Sequence, residues 1–335
     1  MTPSKTILTD DFGRKHNYLR ISLLEKCNLR CTYCMPADGI ALSPKASLMT
    51  ADEIFALAQT FVENGVDKIR LTGGEPLLRK DFPEIISKLA TLKTSLSITT
   101  NGILIDRHIE ALKEANIKKI NLSLDTLISS KFHSITLRNQ FEKVIDNLHL
   151  LLNNNFQVKV NVVLIKGFNE NEIIDFIKLT QFLPLSIRFI EFMPFAGNEW
   201  DRSKMVSQNE ILTATENEFS SEEIEKLEDE KNFTARTYKI KGFQGDFGII
   251  SSITNPFCDG CNRIRLTANG KIKNCLFSNS ETDLLTPFRN GESITNLISE
   301  SIKNKKKVRA GMVTVSEMDD PALHFDNRSM IAIGG

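Results

Sequence analysis

Lys68-Ile69-Arg70-Leu71-Thr72-Gly73-Gly74-Glu75-Pro76 reads as a short strand that runs directly into a tight turn. Ile69 and Leu71 fall on one face, and Arg70 and Thr72 on the other, with the period of two that a strand imposes. Gly73 and Gly74 carry no β-carbon, so this turn can press its backbone against a neighbouring segment. Glu75 offers a carboxylate acceptor, suited to an ammonium group.

The same pattern recurs on both sides. Strand candidates are Leu19–Leu23, Lys68–Leu71, Ser95–Thr99, Lys118–Leu124, Gln157–Leu164 and Ser186–Phe192. Amphipathic stretches separate them. One opens with Thr50-Ala51-Asp52-Glu53, a capping-box pattern that satisfies two orphan amides at a helix start. Alternation repeated this often calls for parallel strands joined by crossover helices. About six units fall short of the eight that close a full barrel. The expected fold is therefore α/β, a partial TIM-type barrel over residues 1–200. Leu96, Ile98, Ile120, Leu122, Leu124, Val158, Val160 and Val162 continue the apolar face, while Ser97, Thr99, Asn121, Ser123, Asp125, Lys159 and Asn161 continue the polar one. A filled barrel core wants branched apolar side chains, so a polar inner face predicts a chamber for a polar ligand. A sheet with one solvated face is the alternative, and the intervening helices argue against it.

Residues 201–335 form the second expected region, a β-containing extension. It begins with a strongly charged stretch whose acidic run, Glu222–Glu230, reads as a solvated helix or connector. Arg263-Ile264-Arg265-Leu266, then Asn269-Gly270, then Lys271-Ile272-Lys273 predicts a hairpin. Lys303–Lys307 is a short basic run and reads as solvated surface.

Lys plus Arg equals Asp plus Glu at 42 each, a formal charge of zero, so the basic excess of a general nucleic-acid or membrane-surface binder is missing. An anionic ligand must then be held by a local cluster of positive charge. The segment Met1–Asp10 has no signal-peptide pattern, and no uncharged apolar run is long enough to span a bilayer. A cytoplasmic protein is the expectation.

The six cysteines fall into two trios, Cys27, Cys31, Cys34 and Cys258, Cys261, Cys275. Close spacing within each trio points to metal sites. Thiolates suit iron–sulfur clusters or zinc. Structural zinc normally takes four ligands, and near the first trio the closest further donor is His16. Three thiolates on a cubane cluster leave one iron open. At the second trio zinc or a purely structural cluster remains a competitor, but Arg263 and Arg265 stand on one strand face beside it, placed to grip phosphate oxygens.

Cys27-Asn28-Leu29-Arg30-Cys31-Thr32-Tyr33-Cys34-Met35-Pro36, followed by Thr72-Gly73-Gly74-Glu75-Pro76, resembles the signature of the radical S-adenosylmethionine (SAM) superfamily. That resemblance implies a first 4Fe–4S cluster on Cys27, Cys31 and Cys34 whose open iron chelates SAM, and a 5′-deoxyadenosyl radical as hydrogen abstractor. Further segments resemble the GTP 3′,8-cyclase family over nearly the whole chain: Gly13-Arg14-x-His16-x-Tyr18-Leu19-Arg20, Thr99-Thr100-Asn101-Gly102, Asn121–Asp125, Lys159–Val163, Arg188–Met193, the Cys258–Cys275 block and the final Gly334-Gly335. The family resemblance implies conversion of GTP to (8S)-3′,8-cyclo-7,8-dihydroguanosine 5′-triphosphate, the first step of molybdenum-cofactor synthesis. It also implies a second 4Fe–4S cluster on Cys258, Cys261 and Cys275, whose open iron binds the guanine. Carried over by position, Tyr33, Gly74, Ser123 and Met193 become SAM contacts, and Arg20, Arg70, Thr99, Lys159, Arg188, Arg263, Ile264 and Arg265 become GTP contacts. Gly334 and Gly335 become a tail that enters the active site. Implied partners are an external one-electron donor, a second copy in a homodimer, and cyclic pyranopterin monophosphate synthase, which takes the product. Two local departures stand out: Leu24-Glu25-Lys26 ahead of Cys27, and Leu137 where the family has glycine.

Two rival readings differ in class. One is another radical SAM enzyme with an auxiliary cluster, modifying a peptide or cofactor, although such auxiliary regions tend to hold more cysteines. The other is a non-catalytic iron–sulfur electron carrier, which normally fills all four cluster positions with protein ligands. If the tail has the implied role, Gly335→Ala abolishes GTP cyclisation while both clusters stay intact. Iron content and product formation on one reconstituted sample check this; wild-type turnover contradicts it.

Overall fold

The computed structural model describes residues 7–35, 39–195, 198, 200–229, 231–323 and 327–334. Six strands alternate with helices in the first half: β1 (Tyr18–Ser22), β2 (Lys68–Thr72), β3 (Ser95–Thr100), β4 (Lys119–Ser123), β5 (Gln157–Leu164) and β6 (Ser186–Glu191). Between them run α1 (Ala51–Glu63), α2 (Phe82–Ala90), α3 (Ile105–Glu114), α4 (Ser129–Thr136), α5 (Phe141–Asn153) and α6 (Ile173–Phe182). The capping box forms: Thr50 N donates to Glu53 Oε2 (2.7 Å) and Glu53 N to Thr50 Oγ1 (3.2 Å). β5 shows the pattern most plainly, with Val158, Val160, Val162 and Leu164 buried and the residues between them at least partly exposed.

The second half adds α7 (Gln208–Glu218), β7 (Ile224–Lys226), β8 (Arg236–Ile240), β9 (Asp246–Ile250), β10 (Arg263–Leu266), β11 (Lys271–Lys273), β12 (Thr282–Asp283), α8 (Leu285–Arg289), α9 (Thr295–Lys303) and α10 (Met330–Ile333). Its strands join the same sheet, in the order β12-β11-β10-β1-β2-β3-β4-β5-β6-β9-β8-β7. β10 pairs parallel to β1, and β9 parallel to β6. The parallel run is therefore eight strands, β10 through β9, where the sequence pattern predicted about six. Both extra strands are short and find partners far along the chain. β9 also carries Gly248, whose missing side chain makes room for Arg188; a β-carbon there would lie 2.6 Å from Arg188 Nη1. Among the described residues the terminal strands β12 and β7 do not pair with each other.

The outer face of the sheet, with Leu19, Ile21, Ile69, Leu71, Ile98, Ile120 and Leu122, packs into one large hydrophobic cluster with the helices. The polar face is not solvated. Arg70, Thr72, Ser97, Arg188 and Arg265 are all buried on it, which rules out the solvated-face alternative. The predicted hairpin is present, β10 pairing antiparallel to β11 across Asn269-Gly270. The acidic run is solvated as expected, but its centre is β7, an edge strand paired to β8 with Glu225 and Lys226 exposed, rather than a helix. Glu230 lies outside the described residues. No helix among the described residues is long and apolar enough to cross a membrane.

Leu137 caps α4 in the left-handed conformation (φ 55°, ψ 31°), which explains why glycine suits this position. A leucine there is strained by roughly 1 kcal/mol, and its side chain is largely exposed. Leu137→Gly is expected to recover about that much unfolding free energy, less the entropy cost of a freer unfolded chain. Denaturant titration of the cluster-free protein measures it; a loss of stability refutes the strain argument.

Candidate active site

The first cysteine trio follows β1 in a loop tied on two sides. Arg30 N donates to Thr136 O (2.9 Å) and Thr32 N to Ile135 O (3.0 Å), which fix the loop to the end of α4. On the other side Gly74 N donates to Leu24 O (2.8 Å) and Glu75 N to Lys26 O (2.8 Å). The second pairing needs glycine. A β-carbon on Gly73 would stand 2.6 Å from Leu24 O, and one on Gly74 would strike Lys26 O and approach Ile331 Cγ1 to 2.9 Å. The close approach anticipated for Gly73 and Gly74 is thus made by the triad loop itself.

Glu75 does not play the part expected of it. Its Oε1 accepts from Leu77 N (3.0 Å) and Thr100 Oγ1 (2.8 Å), and its Oε2 from Asn101 N (2.7 Å). Its carboxylate clamps the ends of β2 and β3 together, with both oxygens engaged by protein donors. Burial raises its pKa to about 7 against these hydrogen bonds.

Cys27, Cys31 and Cys34 line one cavity with Tyr33, Gly74, Thr99, Ser123, Asp125 and Asn161. Cys27 Sγ accepts weakly from Leu29 N (3.4 Å) and Asn101 Nδ2 (3.7 Å). Burial pushes the Cys27 thiol up to about 11, with Glu75 adding to the shift, and pushes Cys34 up to about 12, with Cys27 and Asp125 adding to it. Three thiols that line one cavity with raised pKa values ionise together only if a cationic centre lies among them, and a soft trio of sulfurs fits iron–sulfur chemistry. Among the described residues no group of three His, Cys, Asp or Glu side chains is arranged to hold a single metal ion.

Deeper in the cavity, Asp125 accepts from Tyr33 Oη (2.8 Å) and Val163 N (2.8 Å). Burial raises its pKa to about 6. Asn161, directly opposite Ser123 across β4 and β5, holds a buried Oδ1 with no partner. A buried acceptor left open toward a cavity is a ligand contact in waiting. Sequence reading quoted Asn161 within its motif but did not single it out, because alternation cannot distinguish a satisfied polar side chain from an unsatisfied one.

The second trio sits beside a row of cations. Arg265, Arg20 and Arg70 stand directly opposite one another across β10, β1 and β2, and Lys273 of β11 faces Arg265. Arg70 Nε donates to Tyr18 Oη. Burial lowers the Arg265 pKa, with Arg20 and Arg263 adding to the effect. Lys273 is lowered to about 8 by burial, in part offset by Glu281, and its Nζ donates to Ser278 O. Like charges packed along one wall repel one another, and an anion with several oxygens relieves this. Cys261 responds to the same field: burial raises its pKa, but Arg263 and Lys305 outweigh burial and bring it to about 6. Lys305 is itself buried, so the basic run Lys303–Lys307 is not solvated throughout as its composition predicted.

The tail reaches both trios. Asn327 Nδ2 donates to Leu276 O (3.1 Å) beside Cys275, and Ser329 Oγ to Cys34 O (2.8 Å). Arg328 makes a two-pronged contact with Glu281 (2.9 and 2.8 Å). Gly334 O accepts from Arg265, at a left-handed φ of 73° and with Ser22 Cβ 3.2 Å from where a β-carbon would be. Gly335 lies outside the described residues.

The remaining candidates divide by position. Thr99 lies opposite Asn121, which lies opposite Lys159, along the inner face. Arg188 shares that face but pairs with Asp246 (2.9 Å). Arg263 stacks on Phe257, 4.7 Å from the ring centre. The Ile264 side chain belongs to the hydrophobic core, away from the arginines that flank it. Met193 does not line the first cavity; it packs with Cys275 against the small cluster of Ile253, Phe277, Met312 and Met318.

Comparison with known proteins agrees with this layout. The Radical SAM superfamily profile matches residues 21–180, and the Molybdenum Cofactor Synthesis C profile matches residues 185–310. GTP 3′,8-cyclase of Peptoclostridium acidaminophilum is 39% identical over 99% of both chains, and the mitochondrial GTP 3′,8-cyclase of Arabidopsis thaliana is 44% identical over 99% of this chain and 85% of its own. The chain belongs to the GTP 3′,8-cyclase family. Human Molybdenum cofactor biosynthesis protein 1 is 47% identical over 99% of this chain, which spans about half (52%) of that longer relative. Among solved structures, SAM-bound SuiB of Streptococcus suis superposes with a TM-score of 0.64 at 15% identity, over 94% of this chain and 77% of SuiB. At that identity the likeness is one of fold. Membership of this radical SAM family implies SAM and 4Fe–4S clusters as cofactors, which the two soft thiol trios fit.

The cation row gives a test that needs no cofactor. Inorganic tripolyphosphate at about a hundred times its Kd should stabilise the cluster-free chain by about 2.7 kcal/mol. Arg265→Met should weaken that effect at least tenfold in affinity, yet leave the ligand-free protein more stable by about 1 kcal/mol, because a buried charge is removed. Thermal melts with and without tripolyphosphate measure both; equal stabilisation of the variant refutes the assignment.

Proposed function

We propose that this chain catalyses the cyclisation of GTP to (8S)-3′,8-cyclo-7,8-dihydroguanosine 5′-triphosphate in the first step of molybdenum-cofactor synthesis. The observation that carries the reading is the row Lys273–Arg265–Arg20–Arg70, three of its four cations buried, beside the second thiol trio, with the Gly334 carbonyl held against Arg265. Cys27, Cys31 and Cys34 would hold one 4Fe–4S cluster, and Cys258, Cys261 and Cys275 another. With SAM bound, the first supplies the one-electron cleavage that gives the superfamily its hydrogen-abstracting radical.

The chain's own residues do the rest. Tyr33, Gly74 and Ser123 line the SAM cavity, and Asn161 Oδ1 accepts from a donor group of SAM. Asp125, held by Tyr33 and Val163, places negative charge beside a sulfonium cation. Met193 contributes from the apolar patch next to Cys275. Arg20, Arg70 and Arg265 take the triphosphate, joined by Arg263, Thr99 and Lys159 around the nucleotide and by the Ile264 backbone. Arg188 takes part only by exchanging Asp246 for a phosphate oxygen. Gly334 and Gly335 fit closely because they lack β-carbons.

The same reading makes residues 1–200 a partial barrel and residues 201–335 the part that carries the second cluster and binds substrate. Family likeness supports a cytoplasmic homodimer served by an external one-electron donor and passing its product to cyclic pyranopterin monophosphate synthase.

The test is anaerobic reconstitution with iron and sulfide, followed by reductant, SAM and each nucleoside triphosphate in turn. GTP-dependent formation of 5′-deoxyadenosine is expected. Equal formation with ATP sinks the substrate assignment.

A further inference from the structure

One cation at the second trio has no place in holding a nucleotide. Lys305 lies two residues beyond α9, where its amide donates to Ile302 O (3.1 Å) and the chain turns inward. Its neighbours Lys303, Lys306 and Lys307 are exposed, while Lys305 is only 4% exposed. Its Nζ donates to the Arg263 carbonyl (2.8 Å) and to Cys261 Sγ (3.4 Å). Among the described residues no carboxylate forms an ion pair with it. A buried ammonium is costly unless its N–H groups find acceptors, and the Arg263 carbonyl and the Cys261 sulfur are the acceptors Lys305 reaches.

The surroundings hold this arrangement in place. His16 is fully buried near Lys305, with Nε2 3.1 Å from Asp10 Oδ2 and Nδ1 without a partner. Arg14 pairs with Asp10 (2.6 Å) and donates to the carbonyls of Cys258 (2.8 Å), Lys306 (2.9 Å) and Lys307 (2.8 Å). The segment bearing Lys305 is thereby strapped to the loop bearing the trio. Among the described residues no lysine or arginine donates a hydrogen bond to a sulfur of the first trio; Cys27 Sγ accepts from the Leu29 and Asn101 amides.

We propose that Lys305 is a positioning residue for the second cluster, fixing Cys261 Sγ in place and raising that cluster's reduction potential through a charged N–H···S hydrogen bond. This rests on the reading that the second trio carries a 4Fe–4S cluster. Reduction adds negative charge to a cluster, so a fixed ammonium and a hydrogen bond to sulfur favour the reduced form.

The experiment compares wild type, Lys305→Met, Lys305→Gln and Lys305→Arg as reconstituted holoenzymes, reading iron per chain and the midpoint of each cluster by EPR-monitored redox titration. Lys305→Met and Lys305→Gln are expected to lower the midpoint of the second cluster and leave that of the first unchanged, while Lys305→Arg returns it toward wild type. Glutamine keeps a donor for the Arg263 carbonyl, so it decides the matter if the methionine variant fails to fold. Loss of the second cluster from the uncharged variants, with retention in Lys305→Arg, supports the same conclusion. An unmoved second midpoint in Lys305→Gln, or equal behaviour of Lys305→Arg and Lys305→Gln, overturns it in favour of a purely structural lysine. A wild-type protein that binds only one cluster overturns the underlying reading and this inference together.

Discussion

Burying like charges side by side is the constraint around which this molecule is arranged. Arg265, Arg20 and Arg70 occupy one row of three adjacent parallel strands, with Lys273 next in line. Arg70, Arg265 and Lys273 meet hydroxyl and carbonyl oxygens, Tyr18 Oη, Gly334 O and Ser278 O respectively, which are weaker partners for a desolvated cation than a carboxylate. Such a wall stays intact because its other face is fully packed. Leu19, Ile21, Ile69, Leu71, Ile264 and Leu266 alternate with the cations and lock the strands into the hydrophobic core. The sheet lends its stability to a surface that would not form alone.

That arrangement depends on a strand from the far end of the chain. β10 supplies Arg263 and Arg265 and pairs parallel to β1, so the second trio, which flanks β10, stands beside a sheet built mostly from the first half. The tail then bridges the gap. Ser329 bonds to the first trio's loop, Asn327 reaches the carbonyl next to Cys275, and Gly334 ends at Arg265. Two sites distant in sequence are thus tied together by side chains that hydrogen-bond to backbone carbonyls.

The alternation of strand and helix, and the polar inner face, were legible because both are local and periodic. The limits of β5 match the sequence reading, and the other strands of the first half differ from it by a residue or two. Features fixed by distant partners were not legible. β9 and the parallel pairing of β10 depend on which edge of the sheet is free, and that information does not reside in their own few residues. Burial of a single lysine in a basic run has the same character: Lys305 is drawn in by the Cys261 sulfur and the Arg263 carbonyl, while its neighbours remain in water. Glu75 was legible as an acceptor, but which donors it accepts depends on the end of β3.

The two trios differ in their electrostatic surroundings, and this difference can sort two ligands of opposite charge. The first lies near the carboxyls of Asp125 and Glu75, whose pKa values burial raises to about 6 and about 7. The second lies among Arg263, Lys305 and the cation row. A cation suits the former surroundings and a polyanion the latter. Formal charge over the whole chain is zero, so any such sorting rests on where the charges stand and not on a net charge. Charge of each sign is thus concentrated locally in a chain that is neutral overall.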